Sequence, residues 1–450
     1  MNTKIEKTNA NVKFKVYTQR QLGSIKQLKE LPMELQFSMK VVSRVLPFRV
    51  NKYVIDNLID WGNIPNDPIF QLTFPQRGML KESAFERMAD LVRSDAPADD
   101  IDALARELRE DLNPHPAGQM DLNVARLDDQ EVKGMQHKYR ETVLFFPSQG
   151  QLCHSFCTFC FRWAQFVGDK ELKIASNESD SLFAYLRDNR DVSDLLITGG
   201  DPMVMKTSIV RKYLEPLLAP EFEHIQNIRI GTKALSFWPY RFIGNQDADK
   251  LLQLLERMIA GGKHIALMAH INHWREMQTP VFRAAVKRLR SAGVEIRCQA
   301  PLIAQINDDP EVWARMWREQ VGLGMIPYYM FVERNTGAHH YFEVPLHRAW
   351  DIYRQAIKSV SGLARTVRGP SMSCAPGKVE IQGVTTIRGE KVFALRFIQG
   401  RIPEWVQRPF FAEYDEDACW MNQLKPAFGE DKFFFEDEYR DLIDYMSDPE

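Results

Sequence analysis

Long apolar runs are missing from this 450-residue chain. Stretches such as Val143–Pro147 and Ile265–Ala269 fall far short of the roughly 18 residues a membrane-spanning helix needs, so no membrane association is expected. A dominant charge sign is also missing. The 58 Lys and Arg residues against 60 Asp and Glu leave a formal net charge of −2, whereas a nucleic-acid surface calls for a strong basic bias; no nucleic-acid partner is expected. No repeat and no low-complexity stretch is visible. Met1–Tyr17 is polar and lysine-bearing, without the apolar core of a secretory signal, which points to the cytoplasm. Cysteine is scarce: Cys153, Cys157, Cys160, Cys298, Cys374 and Cys419. A disulfide framework is not expected in a long chain without a secretory signal, and the three clustered cysteines read as metal ligands. What remains is ordinary for a globular protein, 44% hydrophobic and 26% charged, in a chain long enough to bury a large core and form about two or three domains.

The pattern along the chain changes once. Residues 1–140 read mainly as helix and loop, with helical periodicity at Glu82–Ser94 and Asp99–Leu112. From 141 to 345 short apolar runs alternate with helical segments. The strand candidates are Thr142–Pro147, Asp194–Thr198, Asn227–Thr232, His264–His270, Val294–Gln299 and Ile326–Val332. Six strands alternating with helices imply an α/β fold with a parallel sheet, here an incomplete (β/α)6 barrel. Residues 346–450 read as a C-terminal extension: a helix at Leu346–Val360, a Gly/Pro-rich segment, then hairpins at Val379–Val384 and Thr386–Leu395.

In such sheets ligands sit at the C-terminal ends of the strands. Cys153, Cys157 and Cys160 follow the first strand in Cys-x3-Cys-x2-Cys spacing. Thiolates bind iron–sulfur clusters, and three cysteines leave one iron of a [4Fe-4S] cubane open. Structural zinc would want a fourth ligand, for which His154 is the neighbour; three plain loop cysteines are the remaining alternative. Gly199, Gly200 and Asp201 follow the second strand, where glycines allow close backbone approach, although Gly-Gly-Asp-Pro is also good turn chemistry. Thr232, His270 and Gln299 end the next three strands and Arg334 follows the sixth.

With a Gly-Gly-Asp loop after the second strand, the triad resembles the radical S-adenosylmethionine (SAM) superfamily, in which SAM occupies the open iron and its cleavage yields a hydrogen-abstracting radical. A closer resemblance, from about Tyr139 to Lys378, is to the lysine 2,3-aminomutase family. It is carried by Cys-Phe-Arg162, Thr-Gly-Gly-Asp-Pro202, Arg-Ile-Gly-Thr232, His-Ile-Asn-His273, Ser-Ala-Gly-Val294, Ile-Asn-Asp308, Pro-Tyr-Tyr329 and Cys-Ala-Pro-Gly-Lys378.

That resemblance implies an isomerase that shifts an amino group between α and β carbons with a [4Fe-4S] cluster, SAM and pyridoxal 5′-phosphate (PLP). It implies SAM contacts at Gly199, Gly200, Asp201, Thr232, His270 and Gln299, and a PLP aldimine on Lys378, loosened by preceding glycines. Arg162 would receive the substrate carboxylate. Two aspartates that hold the lysine ammonium in the family fall at Arg334 and Cys374 here. A cation beside Arg334 would be repelled, so the expected substrate is an acidic or neutral amino acid. The family's phosphate-binding arginine falls at Thr142, with Arg140 a substitute. Further expectations are an electron donor such as a flavodoxin or ferredoxin, a possible homo-oligomer, and no subunit-bridging zinc. A PLP-independent radical SAM reaction is the alternative; an iron–sulfur carrier or metal-stabilised binding module is a third reading.

Overall fold

The computed structural model describes residues 12–119, 122–128, 130–167, 174–176 and 179–447. A short antiparallel pair, β1 (Val16–Thr18) and β2 (Arg49–Asn51), lies in the N-terminal region. The other strands form one sheet of twelve among the described residues. They are β3 (Val124–Leu127), β4 (Gln130–Tyr139), β5 (Thr142–Phe145), β6 (Asp194–Ile197), β7 (Asn227–Thr232), β8 (His264–His270), β9 (Glu295–Leu302), β10 (Ile326–Val332), β11 (Arg368–Ser373), β12 (Gly377–Ile387), β13 (Glu390–Gly400) and β14 (Pro409–Glu413). Spatial order follows chain order throughout.

Strands β5 to β11 run parallel. Each is joined to the next by a crossover containing a helix: Ser179–Asp188, Thr207–Leu214, Gln246–Ala260, Pro280–Ser291, Pro310–Gly322 and Leu346–Lys358. The long crossover helices start where the sequence supplies caps. Asn245 accepts from Ala248 N at 2.8 Å, Thr279 accepts from Phe282 N with Pro280 following, and Asp309 accepts from Glu311 N with Pro310 following. Such caps satisfy the unpaired N–H groups of a first turn.

Burial along β6, β7 and β9 has a period of two, as side chains on opposite faces require, whereas β8 and β11 are buried almost throughout. In β7 the residues Ile228 and Ile230 are buried against the helices, and Arg229 lies on the other face. In β9 the same holds for Ile296 and Cys298 against Gln299. The half-buried set faces an internal cavity rather than solvent, since Leu144, Leu196, Arg229 and Gln299 all line it.

The partial barrel with an N-terminal helical region and a C-terminal extension matches the sequence expectation, with three differences. The region before 140 is helical at Met33–Val45, Glu82–Arg93 and Ala98–Glu110, but its end forms β3 and β4, which extend the sheet antiparallel beside β5. The Gly/Pro-rich segment is β11, a seventh parallel strand. Gly369 makes this pairing possible: at φ +139° it lies so close to β10 that an added Cβ would sit 2.2 Å from Met330 O. Finally, β12 and β13 form one long hairpin turning at Arg388–Gly389, both with positive φ, as a two-residue turn favours.

No helix among the described residues is long and apolar enough to cross a membrane. The N-terminal region is tied to the barrel through Asp67. Its fully buried carboxylate accepts from Ile69 N, Phe70 N and Asp60 N, and pairs with Arg275 of the barrel at 2.5 Å. Asp67→Ala removes a helix cap and one half of an ion pair, and is expected to lower stability by about 2–4 kcal/mol, read as an earlier denaturant midpoint. Asp67→Asn, which keeps a capping oxygen, should lose less.

Candidate active site

The cavity, about 320 Å³, opens at the C-terminal ends of the parallel strands and gathers residues from β4 through β13. Cys153, Cys157 and Cys160 line it on the loop after β5, and none forms a disulfide. Burial pushes all three thiols up, Cys160 to about 11, and each is raised further by a neighbouring thiol or carboxylate. No three His, Cys, Asp or Glu residues among those described are grouped to hold a single metal ion. Three free thiols around one cavity fit a polynuclear cluster, whose irons would draw off their protons.

The Gly-Gly-Asp loop lies against the cysteine loop. A Cβ on Gly200 would meet Gln151 C and O at 2.6 Å, and one on Gly199, at φ +142°, would meet Gln151 Nε2 at 2.2 Å. The close approach that these glycines permit is therefore to the segment preceding Cys153. Asp201 N donates to both Gly150 O and Leu152 O, fixing the two loops together. The Asp201 carboxylate is buried and engaged: Oδ1 accepts from Met203 N and from Thr232 Oγ1 at 2.6 Å, and Oδ2 accepts from Lys233 N. Asp201 and Thr232 thus couple the ends of β6 and β7 while lining the cavity.

His270 and Gln299 line the same wall. His270 Nε2 is buried without a hydrogen-bond partner among the described residues, and burial holds its imidazole well below its usual range, so it faces the cavity neutral. The segments around His273 and Asp308 brace this wall. Glu276 is fully buried and accepts from Lys233 Nζ, Asn272 N and His273 N, and Asn307 Nδ2 donates to Asn272 O.

The opposite wall is cationic. Arg162 is buried, its guanidinium 4.3 Å from the Phe146 ring and 5.0 Å from Phe161, and its Nη1 has no partner. Burial and the neighbouring Arg334 lower its pKa to about 9, so it stays protonated at neutral pH. Arg334 sits 4.6 Å from the same Phe161 ring and makes no ion pair among the described residues, with Glu333 or otherwise. Burial pushes the Glu333 carboxyl well above its usual range. A third cation, Lys138, was missed by the sequence reading. It lies two residues after Gln136 on the cavity face of β4, and the register shift that follows, with His137 paired to Val143 and Tyr139 to Thr142, brings Tyr139 to the cavity as well. A bulge of this kind re-aims a side chain. Lys138 donates to Cys374 O, and burial together with Arg401 and Arg334 holds its amine well below the usual value.

Lys378 lines the cavity from β12. Its Nζ donates to Gln399 Oε1 at 2.9 Å, directly across the hairpin, and lies 4.4 Å from the Tyr329 ring. Burial first, then Arg229, Arg368 and Arg334, lower its pKa to about 7. Desolvation is the usual means of making a lysine amine nucleophilic. The preceding glycine is not loose, however. Gly377 is paired with Gly400 in the hairpin, and a Cβ there would meet Gln399 O at 2.4 Å.

Two expected residues lie elsewhere. The Cys374 side chain is buried in the apolar core between β12, β13 and the C-terminal segment; it is absent from the cavity lining, though its thiol feels the charges of Lys138 and Arg334 and its carbonyl accepts from Lys138. Arg140 is at the surface, paired with Asp191 at 3.1 Å, whereas Thr142 lines the cavity. Lys138 and Gln399 carried no signal in the sequence beyond strand-like surroundings, because each depends on a cross-strand neighbour.

No family model matches the chain. Among curated proteins, a putative L-lysine 2,3-aminomutase of Aquifex aeolicus is 30% identical over 410 residues, covering 91% of this chain and 96% of the relative. L-lysine 2,3-aminomutase of Bacillus subtilis is 24% identical over 405 residues, 89% of this chain and 75% of the relative. The Escherichia coli protein of that name is 29% identical over 248 residues, 53% and 67%. Among solved structures, Streptococcus suis SuiB bound to S-adenosylmethionine matches at 12% identity and a TM-score of 0.34, covering 60% of this chain and 56% of that one, too weak a likeness to carry an argument. On the near-full-length match to the Aquifex aeolicus relative, the chain belongs to the lysine 2,3-aminomutase family of radical SAM enzymes.

Proposed function

We propose that the protein is a PLP-dependent amino-acid 2,3-aminomutase whose substrate carries a negatively charged side chain. The observation that carries this reading is one cavity holding three free cysteines, a lysine with a pKa near 7 and a cationic wall without an acid paired to it. When bound, SAM and the cluster supply hydrogen abstraction, and PLP carries the migrating nitrogen; the protein supplies binding and orientation.

Cys153, Cys157 and Cys160 would hold the cluster. Gly199, Gly200, Asp201, Thr232, His270 and Gln299 would border SAM, with His270 Nε2 free to accept a hydrogen bond. Lys378 would anchor PLP, and Arg229 and Arg368, whose charges act most strongly on its amine, are the candidates for the phosphate; Arg229 lines the cavity with one nitrogen committed to Asp194. Arg162 would receive the α-carboxylate, for which a guanidinium is geometrically suited. Arg334 and Lys138 would then face the far end of the substrate. A lysine ammonium placed there meets the Arg334 charge, whereas a side-chain carboxylate is paired with it and can accept from the Lys138 amine. A PLP-independent hydrogen abstraction is the second reading, favoured by the surface position of Arg140.

Anaerobic reconstitution is expected to give about four irons and four sulfides per chain, and Cys157→Ala should abolish reductive SAM cleavage. Full cleavage by that variant would remove the cluster assignment.

Borohydride treatment in the presence of PLP should fix the cofactor on Lys378, located by mass spectrometry. An amine reacts in its neutral form, so labelling should rise as pH passes through about 7, about three units below an ordinary lysine. Label on other lysines only would leave the PLP-independent reading standing.

Turnover should favour acidic amino acids over lysine. Arg334→Asp should weaken kcat/KM for the acidic substrate by about 2–5 kcal/mol, the range for losing a desolvated charge contact. Efficient lysine turnover by the unmodified protein would refute the charge argument.

A further inference from the structure

A second cleft, about 740 Å³, lies on the cysteine loop. It shares Phe156 and Phe166 with the active-site cavity but none of the three thiols. Three segments distant in sequence bring Arg20, Arg44, Arg49, Arg106 and Arg109 to it, against one acid, Asp102. On a chain with a net charge of −2 this is a local concentration of positive charge. Arg20 and Arg106 are exposed and make no ion pair among the described residues. Arg44 Nε is buried without a hydrogen-bond partner.

The cleft touches the cysteine loop directly. Arg49 Nε donates to Cys153 O at 2.9 Å, and Phe156 N donates to Arg49 O at 2.8 Å. Leu152, next to Cys153, also lines the cleft and is 54% exposed, the most exposed large apolar side chain of the loop. A body seated here is separated from the thiol ligands by little more than loop backbone. Small apolar contact ringed by charge is the character of transient electron-transfer complexes, which are small and electrostatically steered.

We propose that this cleft docks a small, net-acidic one-electron carrier protein, which reduces the cluster through the backbone of the cysteine loop. The inference rests on the family's cluster chemistry and not on PLP or the substrate. One electron leaves the reduced carrier and enters the cluster held by Cys153, Cys157 and Cys160. The carrier is oxidised by one electron and the cluster reduced by one; no bond forms or breaks. An RNA backbone would also meet the arginines, but it gives no role to the exposed Leu152 or to contact with the cysteine loop.

The test uses the full-length reconstituted protein and an Arg20→Glu, Arg106→Glu double variant. The carrier is a purified acidic flavodoxin with its NADPH-dependent reductase. Binding of oxidised flavodoxin, measured by calorimetry at two ionic strengths, is expected to weaken about tenfold in the variant and to lose most of its salt dependence. Flavodoxin-driven SAM cleavage at subsaturating carrier should fall about tenfold, while dithionite-driven cleavage stays unchanged. Unchanged flavodoxin binding would overturn the proposal. So would an equal loss with dithionite, or loss of affinity for a single-stranded RNA oligomer with carrier binding intact. If the unmodified protein cleaves no SAM even with dithionite, the cluster chemistry itself fails, and the binding measurement still decides what the cleft accepts.

Discussion

The structure is organised around positive charge held in one cavity without matching negative charge. Arg162 and Arg334 line it as charged groups beside the amines of Lys138 and Lys378, and the carboxylates near them are committed or discharged. Asp201 is saturated by the β6 and β7 loops, Asp194 is paired with Arg229, Glu276 with Lys233, and Glu333 is held toward its neutral form. Taking a charge out of water costs several kcal/mol per ion unless it is paired. The packing elsewhere must offset that, and the outward faces of the parallel strands, such as Val143, Leu195, Ile228 and Ile265, are completely buried against the helices. The cavity is the place where the fold is left electrostatically incomplete, and a ligand carrying negative charge completes it.

Two of the amines arrive there through the flanks of the sheet, whereas Arg162, Arg229 and Arg334 come from its parallel part. The parallel strands supply the wall with glycines, His270 and Gln299. The antiparallel strands on the two sides, β4 and β12, supply Lys138 and Lys378. The Lys138 bond to Cys374 O joins residues 236 positions apart, tying one flank of the open barrel to the other. Arg401 does the same one step further out, donating to Ala375 O and to Leu122 O. A partial barrel has two edges that would otherwise gape, and these bonds hold them across the site.

What was legible in the sequence is what depends on local pattern. The strand and helix positions from 142 to 332 follow from alternating apolar runs, and the cysteine spacing and the Gly-Gly-Asp loop stand out as written. What was not legible depends on lateral neighbours. Lys138 and Arg140 are two residues apart, and strict alternation would put them on one face. The strand ends at Tyr139, so Lys138 stays on the cavity face while Arg140, in the turn before β5, pairs with Asp191 at the surface. Cys374 was expected in the pocket only because the family resemblance puts an aspartate there, and the turn closed by its N–H to Gly377 O buries its side chain in apolar packing. The glycines were recognised as sites of close approach, yet only the fold shows that the approaching body at Gly200 is the cysteine loop itself.

Desolvation acts differently on the two kinds of cation in the cavity, and that difference divides their work. It lowers Lys378 to about 7, so an appreciable fraction is a free amine at neutral pH, able to act as a nucleophile. It lowers Arg162 only to about 9 and also lowers Arg334, but a guanidinium starts so much higher that it stays charged in proteins. One dry environment thus yields a neutral nucleophile beside fixed anion receptors. Replacing either arginine by lysine would break that division, since a lysine in the same surroundings would lose its proton as Lys138 tends to do. Under the proposed function, a receptor for a substrate carboxylate would have to be arginine for the same reason that an anchoring amine would have to be lysine.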